Sequence, residues 1–263
     1  MIWSVKQLFF SLGGFAKVFG QYKMLTEKAL DDLFFNVEGI HGEAERIRKF
    51  SIEHIRGDEK LLSNLNMLFH SMDIIHLVAI KHPNMSQDEL VLQLLGIRLF
   101  NTAAVSFNSL VSGYYQKALD GVRDILETSF LLDYFSIDKS QIKIWMECTT
   151  KERLKLFKPL KIREALDNRD GLTERKREQL YSALSELATH ASYKGFNLLK
   201  AESTGLFTVG PFVNLKLLDI SLYEMARLQC HAAAHFIELI ETTSDETNTH
   251  KLRPLHGNQL ILR

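Results

Sequence analysis

The chain has 263 residues, 46% hydrophobic and 24% charged, with 17 phenylalanines, 4 prolines and no formal net charge at pH 7. That length can bury a sizeable core as one helical domain or two small ones, and the composition excludes disorder for the bulk of the chain. Electroneutrality excludes a global attraction to nucleic acid or anionic membrane, so either partner would need a local patch.

In chain order, Ile2, Val5, Leu8, Phe9, Leu12, Phe15 and Phe19 recur at helical spacing. They predict an amphipathic helix packed on the core or on a second subunit. Lys6, Lys17 and Lys23 make only a thin basic face, and Gly13 and Gly14 break the apolar run short of the ~20 residues a membrane span requires. No basic region precedes the run and no small-residue cleavage site follows it, so neither export nor membrane contact is expected.

Nearly every later segment has apolar residues three and four apart, which predicts an all-α multi-helix bundle. Helices are expected over 24–37 and 43–55, separated by GIHG at 39–42, and over 61–80, ending at Lys81, His82 and Pro83. Ser86 and Glu89 match a capping box, because a serine oxygen and a glutamate three residues on can satisfy amides left open at a helix start. A long helix or close helix pair then runs over 87–135, bent near Ser112 and Gly113, with a short helix around Trp145.

Residues 151–177 hold ten Lys or Arg against five Asp or Glu, so this segment is net +5 and the rest of the chain net −5. A helical insert lies between Lys158-Pro159 and the NRDG turn at 168–171. A helix starting at Thr173 ends within 190–195, and 200–211 is a loop or small hairpin. The last long helix covers 212–240. The expected organisation is an N-terminal helical region over 1–85 packed on the core, a bundle core over 86–241 and a mobile polar tail over 242–263.

One helix carries Arg123 and Glu127 just beyond the edge of a broad apolar arc. A solvated i,i+4 pair would contribute about 0.2–0.5 kcal/mol, and Arg before Glu is the weaker order, so the pair also fits a groove between helices. Read with GYYQKALDGVRDILETSFLLDYF at 113–135, REQLYSALSELATHASYKGF at 177–196 and LYEMARLQCHAAAHFIELI at 222–240, the chain resembles poorly characterised bacterial all-helical proteins related to the HEPN superfamily. The resemblance implies a HEPN-like bundle core with Arg123 and Glu127 on one helix and His190 facing them. It also implies an RNA-directed role, as a toxin-antitoxin or antiviral phage-defence ribonuclease or as an inactive binding module. The usual Arg-x4-6-His motif of the nucleases is missing from the late helices, which leaves catalysis by that pair without its expected residues.

Cleavage would need a base at the 2′-hydroxyl and a cation at the phosphate, roles that His190 and Arg123 can fill only if folding brings them together. The expected catalytic set is therefore Arg123, Glu127 and His190, and the expected RNA-binding rim is Lys158, Lys161, Arg175, Lys176 and Arg177. The alternative is a non-catalytic helical module whose groove binds a protein, a second copy or a small ligand.

His231 and His235 stand one turn apart with Glu224 and Glu238 on the same face, a chelating geometry, but Arg227 projects among them. No metal or other cofactor is expected, with His231 and His235 as the alternative. His70 and His76 read as partly buried core histidines. There is no Walker A, GxGxxG or GxSxG sequence. Cys148 and Cys230 lack a zinc spacing and fit free thiols in a reducing cytoplasm.

Overall fold

Short polar signals set the helix boundaries, and a computed structural model shows how they are used. It describes residues 27–83 and 86–249, with side chains covered over 37–83 and 86–243. The described residues form an all-α, multi-helix fold without a β-strand. The N-terminal helix expected over the first twenty residues lies outside them. A compact unit begins at Ala44, and the architecture below is that of this unit.

The helix α1 spans Glu27–Gly57 without a break. The expected interruption at GIHG is therefore corrected, because helix runs through both Gly39 and Gly42. A helical glycine costs about 1 kcal/mol against alanine, and long helical flanks can outweigh that. Asp58 then accepts from the amides of Lys60 and Leu61 at 2.8 and 3.0 Å and starts α2, Glu59–Lys81. The capping box forms as the sequence predicts, with Glu89 N donating to Ser86 Oγ at 3.2 Å and Ser86 N to Glu89 Oε2 at 3.0 Å, and it opens α3, Gln87–Val111. By length and composition α3 would suffice to cross a membrane, yet here it packs on α2 and on the two helices described next.

The expected bend near Ser112 and Gly113 is a full turn leading into α4, Tyr115–Ile137. Gly113 has φ of 83°, and a Cβ there would lie 2.5 Å from the Phe212 carbonyl oxygen, so both backbone shape and contact require glycine. The long helix α9, Leu215–Thr249, closes the core against α2, α3 and α4. Leu68, Leu92, Leu99, Val122, Ile125, Leu222 and Phe236 are fully enclosed there. Because α9 continues to Thr249, the segment expected to begin a tail at 242 is helical for eight residues; 250–263 lie outside the described residues.

Four shorter helices follow α4. They are α5 (Ser140–Glu147), α6 (Thr150–Leu156), α7 (Pro159–Asp170) and α8 (Lys176–Leu184). A π turn at Ser185–Thr189 and a 3-10 turn at Gly195–Leu199 complete this part of the fold. Helices α7 and α8 and both turns pack on α4. The expected helix from Thr173 to 190–195 is thus shorter, and the loop after it holds one antiparallel bridge, Lys200 to Phe207.

Candidate functional site

Arg123 and Glu127 sit one turn apart on α4, at the margin of a face that buries Val122, Ile125 and Leu126. At that margin they meet α8 and the π turn. Arg123 Nη2 donates to Glu127 Oε1 at 2.8 Å and to the Tyr181 hydroxyl at 2.6 Å, and Arg123 Nε donates to Ser185 Oγ at 2.8 Å. The Tyr181 hydroxyl in turn donates to Glu127 Oε1 at 2.9 Å, closing a three-membered ring of hydrogen bonds. With side chains only 18% and 29% exposed, this pair is a partly desolvated junction between elements.

Two guanidiniums lie near the Tyr181 ring, the Arg123 carbon 4.9 Å and the Arg163 carbon 4.1 Å from its centroid. Arg163 is 6% exposed, and its Nε and Nη1 have no hydrogen-bond partner. The aromatic face offsets part of the cost of burying that charge.

His190 does not join the cluster. It is exposed, in extended backbone directly after the π turn, and no hydrogen bond or ion pair links its side chain to Arg123 or Glu127. The π turn widens the chain after α8, with His190 N donating to the Ser185 carbonyl, and the polar contacts fall to Tyr181 and Ser185, which stand four residues apart. That spacing was a usable signal in the sequence, but their partner is 58 and 62 residues away. Thr189 Oγ1 donates to Asp120 Oδ1 at 2.7 Å, which pins the end of the turn to α4.

The basic segment divides in two. Arg177, expected on an RNA-binding rim, is 18% exposed and bonded to Asp167 at 2.6 Å and to Asp170. Arg169 donates to Asp133 at 2.6 Å and to Asp170 at 2.7 Å. Hydrogen bonds from Arg169 and then Arg177 draw the Asp170 carboxyl down to about 2. Lys176 pairs with Glu174 at 2.6 Å and Arg175 with Glu178 at 3.6 Å, both cations remaining largely exposed. Lys151, Arg153, Lys155, Lys158 and Lys161 are exposed and have no ion pair among the described residues. The free positive charge therefore concentrates on α6 and the start of α7, retaining Lys158 and Lys161 from the expected rim and setting Arg177 aside.

Two of those cations, Arg153 and Lys158, line a cavity of about 190 Å³. Its walls are Glu127, Phe130 and Leu131 of α4, Trp145 of α5, Arg153 and Leu154 of α6, Phe157 and Lys158 between α6 and α7, and Pro159 and Ile162 of α7. Edge-to-face contacts between Tyr134 and Phe157 and between Phe135 and Trp145, each 6.1 Å between centroids, fix two of the wall rings.

The expected alternative metal pair is separated in environment. His231 is exposed, whereas His235 Nδ1 lies 3.8 Å from Asp133 Oδ1, and Arg227 bonds Glu224 at 2.6 Å. Among the described residues no three His, Cys, Asp or Glu side chains gather to hold a metal ion. Cys148 and Cys230 are free thiols, and burial pushes the Cys230 thiol up.

The chain matches no known protein family, no curated protein and no solved structure.

Proposed function

We propose that this chain is a HEPN-like helical module that binds single-stranded RNA without cleaving it. The supporting observation is the run of unpaired cations Lys151, Arg153, Lys155, Lys158 and Lys161, of which Arg153 and Lys158 line a cavity walled also by Phe130, Trp145 and Phe157. Basic side chains that follow a backbone, interleaved with aromatic faces on which bases stack, are the two parts of single-strand recognition. Binding is favoured over catalysis because Arg123 is spent on Glu127, Tyr181 and Ser185, while His190 has no bond to it. A phosphate at Arg123 would have to displace those partners.

A second reading, a protein-interaction module or homodimer, is favoured by the exposed Met67, Phe69, Ile74, Leu77 and Ile80 of α2 and Leu94 of α3.

The test uses purified protein and a labelled single-stranded RNA. Retention at low salt should fall with a slope reporting about three to five neutralised phosphates. Joint reversal of Lys158 and Lys161 to glutamate should remove most of it. No retention at low salt leaves the protein-interaction reading. Cleavage that disappears in His190→Ala would replace binding by catalysis.

A further inference from the structure

We propose that the cavity between α4, α5, α6 and α7 receives one unstacked nucleobase and selects guanine over uracil through Glu127. This rests on the RNA-binding reading for its biological substrate, but the pocket has its own physical argument.

Size comes first. At about 190 Å³ the cavity exceeds the ~150 Å³ of an apolar cavity that holds benzene, so a flat heteroaromatic ring system is admissible. Surface chemistry comes second: Phe130, Trp145 and Phe157 present aromatic area, and Leu131, Leu154 and Ile162 complete an apolar lining. A base removed from water onto such a surface gains stacking whatever its sequence context.

Polarity provides the selection. Glu127 is the one acidic group in the lining; its Oε1 receives both Arg123 and Tyr181, and its Oε2 accepts no hydrogen bond from the described residues. An ionised carboxylate only accepts, so it favours a base edge that presents donors. Guanine offers N1–H and the N2 amino group side by side. Uracil flanks its single N3–H with two carbonyl oxygens that the carboxylate repels. Arg153 and Lys158, the cations in the lining, are unpaired and exposed, and suit the phosphate attached to the base.

Calorimetry with guanosine and uridine 5′-monophosphates on the intact protein tests the pocket without RNA. Guanosine monophosphate should bind about tenfold or more tightly than its uridine counterpart, the range of one hydrogen bond to a charged acceptor. Glu127→Gln should erase that ratio, and Leu131→Trp, which fills the cavity, should abolish both, with a cooperative melt above the assay temperature establishing that each variant is folded. Exposed Arg153→Ala/Lys158→Ala should weaken both nucleotides alike. Equal affinity for the two nucleotides, no heat from either, or a preference unchanged in Glu127→Gln overturns the base pocket and leaves RNA retention to be judged separately. Guanosine monophosphate binding without any RNA retention keeps the pocket and removes the RNA reading.

Discussion

Arg123 donates to the hydroxyl of Tyr181 across 2.6 Å, although 58 residues separate them in the chain. That contact joins α4 to α8, and Glu127 holds both partners through a single oxygen. Removing the phenolic oxygen with Tyr181→Phe leaves the ring beneath Arg163 and deletes two hydrogen bonds. We expect a loss of about 1–3 kcal/mol in urea denaturation, the range for leaving a partly buried polar group unpaired. Combined with Glu127→Gln, the double variant should be less destabilised than the sum, with a coupling of about 0.5–3 kcal/mol. Strict additivity would show that the ring of bonds does not act as a unit.

Adjacent cations should respond oppositely to reversal. Lys176 is 76% exposed, so Lys176→Glu should change stability by no more than about 0.5 kcal/mol. Arg177→Glu places a carboxylate against Asp167 and Asp170, and should cost several-fold more, on the order of 2–4 kcal/mol. Thermal melts of the two single variants check this. Equal melting temperatures would show that the clamp at Arg177 is not formed in solution.

Acid stability follows from Asp170. Its folded carboxyl, lowered to about 2 by Arg169 and then Arg177, lies below the ~3.9 of an unfolded aspartate. The unfolded chain therefore takes up the proton first as pH falls. The contribution is complete above about pH 4 and is lost progressively toward pH 2. Asp170→Asn should lower the melting temperature at neutral pH and make it less steep in pH across that window. An unaltered pH profile in the variant would remove Asp170 as the source.

Legibility in the sequence tracked the range of the interaction. Ser86 with Glu89 and Lys158-Pro159 mark boundaries through bonds or dihedrals inside a few residues and are used as read, and Gly113, read as a bend, makes a full turn. GIHG misled because glycine is only a mild helix breaker, and no proline reinforces it. The Arg123–Glu127 pair was visible as a spacing. Its partners Tyr181 and Ser185 were not, since which face of α8 turns toward α4 is settled by packing. Arg177 likewise reads as surface charge until the NRDG turn folds back and sets Asp167 and Asp170 beside it.

The closing role of α9 sets a schedule for synthesis. Helices α2, α3 and α4 are made first, yet the apolar faces that α9 covers stay open until residues 215–240 exist. At ~5–20 residues per second, the stretch from the end of α4 to Ile240 takes roughly 5–20 s to translate. Throughout that interval the leucine- and isoleucine-rich faces that α9 will cover lack that helix, so a chaperone that holds such faces would find its client on the ribosome and lose it once α9 docks.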